Sequence, residues 1–360
     1  MKPKERIRAI LDGKKVDRFP VDLWYTPEIN ASLKSYFGVE DDFDLYKALD
    51  LDKIVWAFPE YKQNSIGNEN ESHIGPNAGG LRTEWGVPLK KIQAGKAVYY
   101  EHGEAPLKNY ETPESLEDYP YWPDPDKYDY ISTYNLAKRA SENYAVIGPW
   151  VSFYEIYCQV RGLEQSMMDL ALYPDLANAI LDKIEESQTF MMKRFFDQSA
   201  KHMDMCFISD DMGSQQSLLI SIPMWETFFK DRMKRWCDLI HSYGLKVFYH
   251  TDGASELLIP NLIECGIDIL NPIQHVCPGM EMKNLKDKYG DKLIFHGAVE
   301  NQSVLPFGTT EDVKLETLEC LETLGRDGKG YIPCSCHNIQ PGTPVENILT
   351  LVETVKNYKL

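Results

Sequence analysis

His250 and Asp252 stand two apart in KVFYHTDG, an apolar run that ends in polar atoms. Strand side chains alternate faces, so the two are aimed to one side, where an imidazole and a carboxylate can share a cation or a proton. A second apolar run, GYIPCSCHNIQ, ends in Cys334, Cys336 and His337. Cysteine, histidine and a carboxylate are donors that Zn²⁺ takes in tetrahedral sites, and three protein ligands with one open position is its catalytic arrangement. The candidate metal ligands are His250, Asp252 and Cys336, with Cys334 and His337 as alternatives for the third place. By strand parity Cys334 and Cys336 share a face and His337 opposes them, unless the strand has given way to a loop at Ser335.

Carboxylates recur at other strand ends. Asp210 and Asp211 follow MCFIS, where a pair with one raised pKa suits proton transfer and a helix cap is the other reading of Asp211. Glu155 follows AVIGPWVS. Asp211 and Glu155 are the candidate catalytic residues. Gln274 and His296 end two further runs, and Trp24, Tyr25 and Tyr154 suit the wall of an aromatic pocket. Together with His337 these five are candidate substrate contacts.

What must position them is a set of strands, each followed by a helix expected over 254–265, 279–289, 310–326 and 344–358. Such alternation implies a parallel sheet, and polar residues at the carboxyl ends of strands are where a (β/α)8 barrel keeps its active site. The expected architecture is a single TIM-type barrel over residues 1–360, with FPVDLW as its first strand and DKIVWAF as its second. Residues 62–128 break the rhythm with short β-like pieces and a Pro- and Asp-rich run. A structureless loop of that length is improbable in a compact domain, so this stretch is expected to be a β-rich, lid-like insertion near the mouth.

Composition narrows the partners. With 43% hydrophobic and 26% charged residues the chain belongs with globular proteins, and a net charge of -17 would repel nucleic acid and anionic membranes. Small molecules or a protein partner remain. The opening MKPKERIRAILDGKK carries charge through its apolar face, and no run approaches eighteen apolar residues, so a cytoplasmic location is expected. The eight cysteines then read as reduced thiols or metal ligands.

KERIRAILDGKKVDRFPV, EIYCQVRGLEQSMMDLALYPD, ISDDMGSQQSLLIS, GLKVFYHTDG, FHGAVENQSVLPFGTTEDV and SCHNIQPGTPVENI together resemble the uroporphyrinogen decarboxylase superfamily, in its corrinoid-dependent methyltransferase branch. The resemblance runs over nearly the whole chain. It implies transfer of a methyl group from a small methylated donor to the cobalt of a corrinoid on a separate protein, assisted by zinc. The methyltransferases carry His-x-Cys at one strand end and a further Cys near the last strand; here the first element is His250-Thr251-Asp252 and the second falls at Cys336-His337. Decarboxylases of the family have a histidine aligned with His337, and arginines in the loop after the first strand. That loop is Trp24-Tyr25-Thr26-Pro27-Glu28-Ile29, without an arginine for a polycarboxylate. A cofactor-free decarboxylase and a non-catalytic metabolite-binding relative are therefore the alternatives. The aromatic loop suits a methoxylated aromatic donor, with Asp211 or Glu155 supplying a proton to the departing group.

Overall fold

The computed structural model of the chain describes residues 1–62, 82–94 and 97–360. Seven parallel strands form one curled sheet in chain order: β1 (Ile54–Trp56), β4 (Ala145–Val151), β5 (Met205–Ser209), β6 (Lys246–His250), β7 (Ile269–Asn271), β8 (Ile294–Val299) and β9 (Tyr331–Ser335). An antiparallel hairpin, β2 (Leu89–Ala94) and β3 (Ala97–His102), intervenes after β1. The order never crosses over, because each strand is returned to its own start by helices packed outside. The fold is a TIM-type α/β barrel.

The eighth stave is the segment expected as the first strand, and it is not a continuous ladder. Val21 O accepts from Asp52 N at 2.8 Å on one side, while Asp22 N donates to Pro333 O at 3.1 Å and Ile339 N to Trp24 O at 2.8 Å on the other. Tyr25 and Ile339 form a parallel bridge. A strand residue points its N–H and C=O to the same side, so Pro333 meets this segment with a carbonyl and no donor, and Pro20 lacks a donor as well. Closure therefore rests on a few bonds and on side chains.

The barrel interior is filled by Trp24, Ile54, Ile147, Met205, Phe207, Phe248, Ile269 and Ile332, all buried. The helix Pro3–Leu11 packs Ile7 and Ile10 into this same cluster, at the end opposite the polar strand ends. Its Arg6 is 5% exposed and pairs with the buried Asp52, which also accepts from Arg18 at 2.7 Å and from Val21 N at 2.9 Å. This ion group ties the helix to the start of the closing stave. Gly148 lets β4 approach β1, since a Cβ there would stand 2.1 Å from Ala57 O. Register shifts between Ile147 and Trp150 at that point.

Elsewhere, the chain after β4 forms three helices, Tyr154–Arg161, Leu163–Leu172 and Pro174–Ser199, interrupted at Gly162 and Pro174. The helical stretch after β5 contains a π turn at Glu226–Lys230. Of the insertion, the stretch 63–81 lies outside the described residues. No described helix is long and apolar enough to cross a membrane.

Candidate metal centre at the barrel mouth

His250 is the last residue of β6 and is paired in register with Asn271, the last of β7. Its Nδ1 lies 2.5 Å from Asn271 Oδ1; Asn271 Nδ2 lies 2.8 Å from His296 Nδ1, and His296 Nε2 lies 3.2 Å from Asp22 Oδ2. Lys53 Nζ and Trp24 Nε1 complete the chain by donating to Asp22 at 2.9 and 3.1 Å. One proton arrangement satisfies every link. The Asn271 carbonyl takes the N–H of His250 Nδ1, its amide donates to a bare His296 Nδ1, and the N–H of His296 Nε2 goes to Asp22. Burial alone would raise Asp22, yet Lys53 and His296 hold it down to about 2, while burial chiefly lowers His296 and keeps it neutral.

The consequence is a lone pair on His250 Nε2, aimed at the mouth. There Asp252 Oδ2 stands 4.0 Å away, and His337 Nε2 stands 3.8 Å from that same oxygen. The ligand atoms of His250, Asp252 and His337 all lie within 4.8 Å of one another. Ligands around tetrahedral zinc sit about 3.3–3.6 Å apart, given metal–ligand bonds of about 2.0–2.2 Å, so the two pairs that share Asp252 would close by roughly half an ångström, and the two imidazoles by up to about 1.5 Å, to seat an ion. The donor set fits: burial chiefly lowers His337, leaving it neutral with a free lone pair, and burial raises Asp252, a cost that a bound cation would remove. His250 is 6% exposed, whereas Asp252 and His337 are partly exposed, so the group opens outward.

Two loops meet to place Asp252. A Cβ on Gly213 would stand 2.5 Å from Asp252 O, and one on Gly253 (φ +81°) would stand 2.4 Å from Ser214 O. Only glycine permits this approach. It brings Asp211 Oδ1 to 2.9 Å from Asp252 N and 3.8 Å from His250 Nε2.

Cys336, expected as the third ligand, is buried, with its Sγ 3.9 Å from Ile273 O. Its sulfur is not among the atoms that lie within 4.8 Å of one another around His250 and Asp252. His337 takes that place in the gathered group. β9 stops at Ser335, Cys336 N donates to Val299 O at 2.7 Å, and strand parity no longer governs the next residue. Cys334 lies inside the barrel beside Asp22 and His296, where the Lys53 ammonium already meets the carboxylate and burial pushes the thiol up.

Asp210 is buried and accepts from Ser152 Oγ at 2.7 Å, Tyr154 N at 2.6 Å and Glu155 N at 3.2 Å, anchoring the helix Tyr154–Arg161. Glu155 accepts from Ser209 Oγ at 3.1 Å. Burial, then the neighbouring Asp211 and Asp210, push its carboxyl up to about 8, so it carries a proton at neutral pH.

The mouth cavity, about 570 Å³, is lined by Asp252, Gln274, Asn301, Gln302, Cys336 and His337 among others. Gln274 is braced there by Gly253 N at 2.8 Å. Three expected substrate contacts lie outside the mouth cavity: Trp24 is stacked on His250 and borders a smaller cavity, His296 is fully buried in the relay, and Tyr154 packs edge-on to Phe229. Tyr25 lines that smaller cavity too, of about 200 Å³. The relay residues Asn271 and Asp22 were missed by sequence reasoning, although each is a polar residue in an apolar strand segment.

Residues 93–358 match the family model described as uroporphyrinogen decarboxylase (URO-D). The chain belongs to the uroporphyrinogen decarboxylase family. Among solved structures this family member is similar to a methyltransferase from Methanosarcina mazei, at 17% identity and a TM-score of 0.67, covering 99% of this chain and 98% of that one. At that identity the likeness is one of fold. Xylanase B from Clostridium stercorarium F9, at 13% identity, a TM-score of 0.39 and coverage of 64% and 77%, shares too little to carry any argument. No curated protein sequence matches the chain.

Proposed function

We propose that this member of the family transfers a methyl group from a small methylated donor to the cobalt of a corrinoid carried by a separate protein. The observation that carries the reading is the gathering of His250, Asp252 and His337 at an open barrel mouth. They would hold a zinc ion. Zinc bound there supplies a Lewis acid for the heteroatom that loses its methyl group. Asn271 fixes the His250 tautomer, Asp211 orients Asp252 through its N–H, and Gln274 braces the cavity wall. Glu155 holds a proton at neutral pH and would deliver it to the departing group. Thr83, Glu84, Trp85, His102 and Tyr128 of the insertion line a cavity with Trp150 and Glu155, which supports a covering role for residues 62–128.

Tetrapyrrole decarboxylation fits less well, since among the described residues no lysine or arginine lines the mouth cavity to meet a polycarboxylate. The methoxylated aromatic donor rests on the loop Trp24–Ile29, whose Trp24 and Tyr25 both border the smaller cavity and not the mouth cavity. It is one candidate in a donor screen. The test is elemental analysis of the purified protein, followed by that screen with reduced corrinoid protein, read by the corrinoid absorbance. Wild type should hold about one zinc per chain and methylate the corrinoid, and His250→Ala should lose both. Full activity in a metal-free preparation would overturn the metal role; carbon dioxide release without metal would favour a decarboxylase, and silence with every corrinoid partner a sensor.

A further inference from the structure

A second cavity, of about 400 Å³, lies between the ends of β1 and β4 and the described part of the insertion. Four aromatic rings line it: Phe58, Trp85, Tyr128 and Trp150. So do two carboxylates, Glu84 and Glu155, while among the described residues no lysine or arginine does. Among the described residues neither carboxylate is paired with a cation. Burial pushes both up from the ordinary range, Glu155 to about 8. His102, also in the lining, is lowered by burial and brings no positive charge, and Gln188 is engaged at both ends by Ser152, at 3.0 and 2.6 Å.

Three kinds of occupant can be weighed. A neutral aromatic ring would fill the volume but gain nothing from the two carboxyls, which burial keeps protonated more readily than usual; a cation would displace those protons and take their place. A metal ion needs ligand atoms that converge, and neither Glu84 nor Glu155 belongs to such a group among the described residues. A bulky, weakly hydrated organic cation meets both demands. Its alkyl groups face the rings, an attraction that strengthens when the cation is desolvated, and its diffuse charge needs no short ligand bonds.

We propose that this cavity binds an alkylated ammonium cation, its alkyl groups against Phe58, Trp85, Tyr128 and Trp150 and its charge against Glu84 and Glu155. The inference concerns binding; the cavity shares Glu155 with the proposed methyl transfer, but binding does not depend on that reaction. A bound trimethylammonium compound would be the methyl donor only if it also lost a methyl group.

The experiment titrates choline and its neutral isostere, 3,3-dimethyl-1-butanol, into the full-length protein at constant ionic strength, with no corrinoid present, and follows tryptophan fluorescence and heat. Choline should bind at least about tenfold more tightly than the isostere, and Glu84→Gln or Trp150→Leu should weaken it about fivefold or more. Circular dichroism checks each variant's fold; should a variant fail to fold, the wild-type comparison still decides. Equal binding of the two probes, or unchanged affinity in a folded Glu84→Gln/Glu155→Gln double variant, would overturn the assignment. Chelator-treated protein should bind choline equally well. Loss of binding on chelation would place the probe at the metal centre and overturn it too.

Discussion

His250 Nδ1 stands 2.5 Å from Asn271 Oδ1, and that contact decides which imidazole nitrogen faces the mouth. A ligand histidine whose far nitrogen is unpartnered can turn or change tautomer. Asn271→Leu should therefore weaken zinc binding about 10–100-fold, measured by competition with a chromophoric chelator. Asn271→Asp, which can still accept from Nδ1, should restore most of it. Unchanged affinity in a folded Asn271→Leu protein would mean that the tautomer is set elsewhere.

His337 and Cys336 are adjacent and make opposite forecasts. His337→Ala should empty the metal site, whereas Cys336→Ser should keep about one zinc per chain, because the Cys336 sulfur lies outside the group of gathered ligand atoms. Metal analysis of the two variants decides between them, and the reverse pattern would return the third ligand to Cys336.

Glu155 gives a pH dependence with a definite sign. Its carboxyl is raised to about 8, so the proton it would donate is present at neutral pH and is lost as pH rises through about 8. Methyl transfer should fall about tenfold per pH unit on that alkaline limb, and Glu155→Gln should be slow without the limb. Stability follows the same direction. The native state holds this proton more tightly than the unfolded chain, so the contribution is complete below about pH 4.5 and declines until about pH 8. The melting temperature of wild type should drop more over that range than that of Glu155→Gln.

Asp52 offers a test of the barrel floor, away from the mouth. It is fully buried between Arg6 and Arg18, and removing one partner leaves charge without compensation. Arg6→Met should cost about 3–5 kcal/mol in urea unfolding. A loss below about 1 kcal/mol would show that Arg18 alone satisfies the carboxylate.

Much of the barrel was legible because its strands are short apolar runs that stop at His, Asp or Asn, and a buried parallel sheet demands that pattern. That pattern is what singles out His250 and Asp252 as candidates. For His337 parity leaves two readings open, and β9 stops at Ser335, the condition under which His337 can turn toward them. The relay through Asn271 and His296 depends on register between β6, β7 and β8, which no single strand records. The cavity around Glu84 and Trp85 was hidden for another reason: its walls come from a stretch without periodicity and from strands far along the chain.

The closing stave carries a consequence for how the protein is made. Trp24 and Ile339 are joined across about three hundred residues, so at roughly 5–20 residues per second the first stave waits roughly 15–60 s on the ribosome for its neighbour. Throughout that time Asp22 has no His296 to meet, and the sheet has two raw edges that invite pairing with other chains. The tautomer of His250 depends on the far end of that same relay. Any ion held at the mouth is therefore acquired by the finished barrel, after synthesis, and a nascent chain stalled before residue 331 should neither load metal nor escape the chaperones that guard open sheets.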